Sequence, residues 1–279
     1  MYDTIVLSGG GVKGFAMLGT LQYLEHQKKI KNIKKIIGTS IGSVIGYLYV
    51  LGYKPNEIII ECIQNDYFSK IEKVNIVKGI KGEGFLDFDF FYNILYKFTY
   101  DKIKEDKKLT FKDLYEINNI ELIMLTFNYT NKCEEILSFK TTPDLFIVDA
   151  IRMTSNLPFV FGNFQYKDCY YFDGFISRNF PIHLIDIKND IVFGICSFRD
   201  KWKDDKELKY WKIIWNLFFL PFFEIQSIKN EIYYKYCDIV NLDLDMKDNM
   251  SLFSFYLSSK KVLDLFSIGY SKMKEIESK

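Results

Sequence analysis

Short apolar runs alternate with helical repeats over the first fifty residues. The run Thr4 to Leu7 ends at a glycine-rich stretch, and Lys35 to Ile37 forms a second run of the same kind. Such runs are typical of buried parallel strands. Apolar residues recur at helical spacing from Val12 to Gln27 and again from Ile41 to Leu48. The order strand, helix, strand, helix predicts a parallel α/β sheet with right-handed crossovers.

The remainder of the chain is less regular. Later strands are expected in two hairpins and at one central position: Glu121 to Tyr129 with Glu134 to Phe139, Tyr166 to Phe172, and Ile191 to Ile195. Asp144 is a candidate N-cap for a helix that runs to about Met153. The segments after the central strand are predicted as helices, near 206–218, 224–236 and 252–276.

The chain shows no internal repeat and no low-complexity linker. Its 279 residues are enough to bury a sizeable core in one folded unit. We expect a first part over residues 1–200 and a helical C-terminal part over residues 201–279, packed on the same domain. The expected fold class is α/β, a three-layer sandwich with a central, mostly parallel sheet flanked by helices.

The composition is that of an ordinary soluble globular protein, with 48% hydrophobic and 26% charged residues. The formal net charge is +1, so no overall field would attract nucleic acid, and none is expected as a partner. One basic cluster lies between the first helix and the second strand: Lys28, Lys29, Lys31, Lys34 and Lys35. A solvated loop is the favoured interpretation, and attraction to anionic lipid headgroups is the alternative.

The five cysteines are scattered and form no CxxC pair: Cys62, Cys133, Cys169, Cys196 and Cys237. This pattern argues against a disulfide framework and a zinc site, and it is typical of a reducing compartment. Because the first strand begins almost at the N-terminus, no signal peptide is expected. We therefore expect a cytoplasmic protein, and peripheral contact with a membrane surface is compatible with this.

The longest apolar stretch runs from Trp211 to Phe223 and is interrupted by Lys212, Asn216 and Pro221. It is too short to span a bilayer. A buried helix followed by a proline break is the favoured interpretation. The alternative is an aromatic surface that contacts a lipid interface or gates an acyl pocket.

A glycine-rich loop follows the first strand, with Gly9, Gly10, Gly11 and Gly14 in a GGGxxG pattern. The spacing also fits a dinucleotide-binding fingerprint, which requires an acidic residue at the end of the second strand. That strand ends in Gly38-Thr39-Ser40, without a carboxylate. A P-loop would need a lysine followed by serine or threonine after the last glycine, where this chain has phenylalanine. Since the GxSxG motif Gly38-Thr39-Ser40-Ile41-Gly42 follows the next strand, an oxyanion hole formed by the N–H groups of Gly9, Gly10 and Gly11 is favoured over a cofactor site.

Ser40 lies at the turn from the second strand into the second helix. A nucleophile on such a strained turn needs neighbours without side chains at −2 and +2, and Gly38 and Gly42 meet that need. The N-terminus of the following helix favours negative charge at the same place. The pattern therefore predicts a nucleophilic serine. The alternative is a tight glycine turn with a capping serine.

A nucleophilic serine also needs a base, and the chain has only two histidines. His26 is expected to face solvent from the first helix. His183 completes the chain order Ser40, Asp173, His183 that α/β-hydrolases use, but those enzymes place their nucleophile later in the sheet. A carboxylate is therefore the favoured base. Asp173, followed by Gly174 at the end of the second hairpin, is the best-placed candidate.

The motifs GGGxxG, GTSIG and a later Asp-Gly, in this order, resemble those of the patatin-like phospholipase family. Ser155-Asn-Leu-Pro158 with Phe161 resembles the family segment before the Asp-Gly motif, and Asn179-x-Pro181 the segment after it. The matches span residues 5 to 182. Residues 1–200 would then form a patatin-like catalytic domain.

The resemblance implies a lipid acyl hydrolase, a phospholipase A-type serine esterase whose Ser40–Asp173 dyad works without histidine, cofactor or metal. Its partner would be a phospholipid or another acyl-ester lipid. An aspartate with an ordinary pKa near 4 is a poor base for an alcohol, so the oxyanion donors would have to carry much of the barrier reduction. The acidic run Asp243-x-Asp245-x-x-Asp248 lacks the glycine and glutamate of a calcium loop, so no metal is expected there.

Two residues depart from the family pattern. Phe175 stands where a very small residue usually follows Asp-Gly, and Lys13 replaces the usual arginine. The ring could narrow the pocket mouth, and lysine lacks the planar fork that grips phosphate. Two other functions are therefore kept open: a non-catalytic lipid-binding or interaction protein, and a soluble carboxylesterase with a Ser–Asp–His triad.

Overall fold

A computed structural model describes residues 1–69, 84–158, 160–197, 221, 224–242, 244 and 257–278. Within these residues, eight strands form a single sheet. The strands are β1 (Thr4–Leu7), β2 (Lys35–Gly38), β3 (Glu121–Asn128), β4 (Cys133–Leu137), β5 (Phe164–Tyr166), β6 (Cys169–Asp173), β7 (Val192–Cys196) and β8 (Asp238–Asn241). Their order is β5-β6-β3-β2-β1-β7-β8, and β4 pairs with β3.

Helices flank the sheet. They are α1 (Gly14–His26), α2 (Ile41–Val50), α3 (Pro55–Gln64), α4 (Asp89–Ile103), α5 (Phe111–Asn118), α6 (Ile147–Thr154), α7 (Phe175–Arg178) and α8 (Ser259–Glu277). Residues 224–231 are also helical and continue into a 3-10 turn at Ile232–Lys235.

The centre of the sheet is parallel, as the apolar runs predicted. β2, β1, β7 and β8 pair in parallel, as do β2 and β3. The antiparallel pairs are the two predicted hairpins, β3 with β4 and β5 with β6, together with β3 and β6. Successive β1 residues serve opposite faces: Ile5 and Leu7 join the larger apolar core, and Val6 joins the smaller one. The expected mixed, mostly parallel α/β fold is confirmed.

The C-terminal helix α8 packs directly on α1. A Cβ at Gly19 would lie 1.9 Å from the carbonyl oxygen of Phe266, and one at Gly269 would lie 1.9 Å from that of Ala16. The two backbones therefore touch where side chains are absent. Since α8 covers its outer side, α1 is buried from Gly14 to Leu24 instead of along one stripe.

Three expectations about individual elements need correction or completion. Asp144 does not cap a helix: α6 begins at Ile147, and Phe146 before it is extended and forms an antiparallel β-bridge with Thr110. Strand β8 lies between the helices predicted near 224–236 and 252–276, a gap to which no element was assigned. Residues 53–115, which gave no clear pattern, contain α3, α4 and most of α5.

The predicted helix at 206–218 and the stretch from Trp211 to Phe223 fall largely or wholly outside the described residues. The domain boundary at residue 200 also falls there and stays a prediction. None of the described helices is long and apolar enough to cross a bilayer.

Candidate active site

The two glycine motifs lie side by side at the carboxyl edge of the sheet. β1 and β2 are parallel neighbours with Leu7 opposite Gly38, so the turns that follow them leave the sheet together. A Cβ at Gly42 would lie 2.5 Å from Leu7 O, and one at Gly9 would lie 3.3 Å from Ser40 Cβ. The close packing of the two turns therefore depends on these glycines.

Ser40 has a strained backbone. Its φ of 53° and ψ of −124° lie in a region that residues with side chains rarely adopt. The Ser40 N–H is donated to Thr154 Oγ1 at 3.0 Å, and its carbonyl accepts the first helical bond from Val44. A Cβ at Gly38 would lie 2.6 Å from the nitrogen of Ser43. These contacts hold the half-buried serine at the start of α2.

Asp173 is placed beside this turn by the register of β3. Gly38 at the end of β2 pairs with Met124, and Asp173 at the end of β6 pairs with Thr126, two residues further along. β6 uses the same edge of β3 as β2, because β4 occupies the other edge over both positions. The aspartate therefore lies just beyond the end of β2, where Ser40 follows. Ser40 and Asp173 line the same cleft.

The Asp173 carboxyl group is completely buried, and burial raises its pKa to about 7. The Phe175 N–H, 2.8 Å from Oδ1, and the Ser40 hydroxyl act in the opposite direction and lower this pKa. Oδ2 has no hydrogen bond of standard geometry among the described residues, so the hydroxyl is near the carboxylate without a fully formed bond. The expectation of an ordinary pKa near 4 is wrong, since the sequence did not reveal the depth of burial.

The peptide between Gly9 and Gly10 is held in one orientation. Gly9 O accepts hydrogen bonds from Ser197 Oγ at 2.7 Å, Ser8 Oγ at 2.9 Å and Asn179 Nδ2 at 3.4 Å. Because the peptide is planar and trans, the Gly10 N–H points opposite to this carbonyl. Ser197 follows β7, which lies beside β1, and nothing local in the sequence indicated its role.

The three candidate oxyanion glycines differ in what they offer. The Gly9 N–H is donated to Asn179 O at 2.9 Å and is therefore occupied. No described residue accepts a hydrogen bond from the Gly10 or Gly11 N–H, and both glycines line the cleft. Lys13 Nζ, in the position of the family's arginine, donates to Ser197 O at 3.2 Å.

The remaining motif glycines allow close packing. A Cβ at Gly14 would lie 2.5 Å from Ile41 Cγ1, so glycine lets the starts of α1 and α2 approach. A Cβ at Gly174 would lie 2.3 Å from Leu125 O and 3.0 Å from Thr39 Cγ2. Gly174 therefore lets the segment after Asp173 lie against both β3 and the serine turn.

Phe175 and the loop after it are fixed by Gln226, a buried residue of the helical segment 224–231. Gln226 Nε2 donates to Phe175 O at 2.9 Å, and its Oε1 accepts the Asn179 N–H at 3.0 Å. The Phe175 ring is buried and lines the cleft. The bulky Phe175 side chain is therefore part of the cleft wall, and the Phe175 N–H donates a hydrogen bond to the Asp173 carboxylate.

The cleft is polar at one end and apolar elsewhere. The space between its lining residues, counted together with the open solvent at its mouth, is about 1290 Å³. Gly10, Ser40 and Asp173 belong to its polar end. The rest runs between the first four helices, with Leu48 of α2 and Phe98 of α4 among its many apolar lining residues. The shape and chemistry are those of a site for a long apolar group attached to a polar one.

Neither histidine lines the cleft within the described residues. His183 Nε2 is 3.1 Å from Glu134 Oε2, and this hydrogen bond is the main reason that the Glu134 pKa is lowered. His26 is exposed and contacts Gln22 and Tyr270.

The basic cluster lies before β2 and at its first residue, at the opposite end of this strand from Ser40. Two of its lysines are paired: Lys35 with Asp190 at 2.8 Å and Lys29 with Glu277 at 2.6 Å.

Comparison with known proteins gives one matching family model and several relatives in sequence. The family model described as patatin-like phospholipase matches residues 5–186. The chain is 34% identical over 208 residues to "Probable lipid hydrolase 463L" of Invertebrate iridescent virus 6, covering 73% of this chain and 68% of that protein. It is 27% identical over 288 residues to "Uncharacterized protein R571" of Acanthamoeba polyphaga mimivirus, covering 97% and 92%.

Solved structures share the fold at low identity. VipD from Legionella pneumophila gives a TM-score of 0.55 at 15% identity, covering 99% of this chain and 66% of that one. ExoU in its complex with SpcU from Pseudomonas aeruginosa gives a TM-score of 0.55 at 14% identity, and the match covers 99% of this chain and 51% of that one. The chain thus spans between half and two thirds of the length of these structures, and the likeness concerns the fold alone.

Proposed function

Because the chain belongs to the patatin-like phospholipase family, we propose that it hydrolyses fatty-acyl esters of phospholipids through a Ser40–Asp173 dyad. One observation carries this proposal. A serine on a strained turn and a buried aspartate with a pKa raised to about 7 line the same polar end of an apolar cleft. Raised pKa values in a cleft are typical of catalytic carboxylates.

In the proposed first step, Ser40 Oγ attacks the ester carbonyl carbon while its proton passes to Asp173 Oδ2. The tetrahedral intermediate then breaks the ester C–O bond, and the leaving alcohol takes the proton from Asp173. In the second step, water attacks the acyl-enzyme, Asp173 accepts a proton from the water, and the fatty acid leaves as the proton returns to Ser40. A base with a pKa close to the working pH suits both steps.

The negative charge of the tetrahedral intermediate would be stabilised by the N–H groups of Gly10 and Gly11. Gly9 was also predicted as a donor, but its N–H is donated to Asn179 O, so we assign Gly9 a packing role. The hydrogen bonds to the Gly9 carbonyl fix the Gly10 N–H before the substrate arrives, and such preorganised donors are effective in catalysis. One donor of this kind is worth about 3–4 kcal/mol.

Two observations bear on the alternative functions. The Phe175 N–H supports the Asp173 carboxylate, which favours an active dyad over a non-catalytic lipid-binding protein. The pairing of His183 with Glu134 disfavours a Ser–Asp–His triad.

The test compares Ser40→Ala, Asp173→Asn and the control Ser43→Ala. The Ser43 hydroxyl is buried in α2 without a hydrogen-bond partner in the described residues, so its loss should leave activity unchanged. Hydrolysis of a short soluble ester and of phosphatidylcholine vesicles would be measured, with circular dichroism as the folding control. Both dyad variants should lose at least about 10³-fold in kcat.

Labelling with a fluorophosphonate separates the remaining functions. The wild type should react at Ser40, because only an activated serine attacks phosphorus readily. Absence of labelling would favour the non-catalytic alternative. Full turnover by either dyad variant would rule out the dyad.

A further inference from the structure

The segment from residue 224 to the 3-10 turn Ile232–Lys235 has an inverted distribution of polar and apolar residues. Its buried side chains are polar: Gln226 and Asn230 are each 8% exposed. Its isoleucines face outward, with Ile225, Ile228 and Ile232 50%, 71% and 60% exposed. A surface helix normally turns its apolar face to the core. We call these three isoleucines the isoleucine stripe.

The positions form two opposed faces. Residues 225, 228 and 232 are spaced by three and four, so they project from one side of the helix. Gln226 and Asn230 are four apart and project from a direction about 145° away on the helix. The inversion thus extends from Ile225 to Ile232, and Tyr233, the next residue, is partly buried against the smaller apolar core.

We propose that the isoleucine stripe contacts the apolar boundary of the lipid aggregate that supplies the substrate. This inference rests on the proposed function, which requires the protein to meet its substrate in a lipid phase. Helices that lie in a lipid interface bury one apolar side among the headgroups and acyl chains. The segment contains Glu224, Glu231, Lys229 and Lys235, so its own charges cancel and the contact would be apolar.

The stripe is too small for a stable interface with a second copy of the chain. It spans eight residues, about 10 Å along the helix, and is one helix wide, which gives a footprint of roughly 100 Å². A stable protein–protein interface buries roughly 800 Å² on each partner. A lipid surface has no such requirement, because it adapts its shape to the inserted side chains.

The stripe is also connected to the active site through Gln226, on the buried face of the same segment. Gln226 bonds the Phe175 carbonyl and the Asn179 N–H, and Asn179 O accepts the Gly9 N–H. These hydrogen bonds reach both sides of the site. On one side is Phe175, which supports Asp173, and on the other is the oxyanion loop. Contact of the stripe with lipid would therefore hold both catalytic loops in place while the substrate enters.

The test uses the full chain and vesicles of dioleoylphosphatidylcholine. The triple variant Ile225→Gln, Ile228→Gln, Ile232→Gln removes the stripe and keeps good helix formers. A matched control places the same substitutions at Ile60, Ile117 and Ile276, which are 46–48% exposed on other helices. The stripe variant should lose about tenfold or more in vesicle binding and in vesicle hydrolysis. Its activity on a short soluble ester should stay within about twofold of wild type, as should every activity of the control.

Each other outcome has a definite meaning. Unchanged vesicle binding by the stripe variant would overturn the proposal. A parallel loss of soluble-ester activity would show that the isoleucines act within the fold, and a dimer present only in the wild type would identify a second copy as the partner. Binding that needs anionic lipid would point to the basic cluster. If the wild type hydrolyses no ester, the proposed function fails, while the vesicle-binding comparison still decides the fate of the stripe.

Discussion

The turn after β1 and the turn after β2 hold nearly the same backbone angle with different residues. Gly11 has a φ of 54° and Ser40 a φ of 53°. A Cβ at Gly11 would meet no atom within 4 Å, so glycine is needed there for the angle alone. Ser40 adopts this angle with a side chain, at a cost of about 1–3 kcal/mol. The first turn is therefore suited to present its main chain, and the second to present a hydroxyl group.

The largest expected effect is the pH dependence of activity. The peptide N–H groups of the first turn do not titrate, whereas Asp173 beside the second turn does. Asp173 must be ionised to accept the Ser40 proton, and its pKa is about 7. We expect kcat/KM on a soluble ester to fall about tenfold per pH unit below 7, reaching about 10³-fold at pH 4. A profile that stays flat down to pH 5 would contradict the assignment of Asp173 as the base.

The same pKa predicts a stability effect. A pKa raised from 3.8 to about 7 means that the folded state favours the protonated carboxyl. The contribution of Asp173 to the free energy of unfolding is therefore largest below pH 4, and it is lost as the pH rises through 7. The full effect is on the order of 4 kcal/mol. Asp173→Asn should unfold at a higher denaturant concentration than wild type at pH 8, with a much smaller difference at pH 4. Equal differences at both pH values would show that burial does not raise this pKa.

Ser197→Ala tests the first turn. It removes one of the hydrogen bonds that orient the Gly9–Gly10 peptide, so the Gly10 N–H would lose part of its preorganisation. We expect kcat to fall about 10- to 100-fold with KM little changed, which is less than the loss of a donor outright. The measurement is steady-state kinetics on the soluble ester. A change confined to KM would indicate a role in substrate binding instead.

A pair of stability measurements tests the comparison of backbone angles itself. Ser40→Gly relieves the strain of a side chain at positive φ and should raise the free energy of unfolding by about 1 kcal/mol, after the entropy cost of glycine. Gly11→Ala introduces that strain without a clash and should lower the free energy of unfolding by about 1 kcal/mol. Denaturant unfolding curves measure both. Changes of the same sign would mean that the two turns are not equivalent in backbone energy.

The smallest expected effect is that of His183→Ala, which touches neither turn. His183 is paired with Glu134, so kcat on the soluble ester should stay within about twofold of wild type. A loss comparable to that of Ser40→Ala would instead support the Ser–Asp–His triad.

Local patterns predicted the parts of the fold that local sequence specifies. β1, α1, β2 and α2 follow from apolar spacing and glycines, and both hairpins were found. The same glycine patterns singled out Ser40 and Asp173. β8 was missed because a run of four residues beside charged and aromatic neighbours carries little periodicity.

The supporting residues of the site could not be predicted because they act through distant contacts. Ser197 reaches Gly9 across 188 residues of chain, and Thr154 reaches Ser40 across 114. Gln226 joins the site from a segment expected only to be helical. Each is an ordinary polar residue in its local sequence, and only the pairing of β1 with β7 and the packing of helices give it a role.

The pairing of β2 and β6 with the same edge of β3 sets the relative position of the two reacting groups, Ser40 and Asp173. The position of the Asp173 carboxylate is fixed by the register of β6 on β3. Loops elsewhere between Asn128 and Cys169 could therefore lengthen or shorten without moving it. A deletion of one residue inside β6 would turn every later side chain to the opposite face and withdraw Asp173 from the serine. Changes intended to admit other substrates therefore belong in the walls and rim of the cleft, and this ladder should be left untouched.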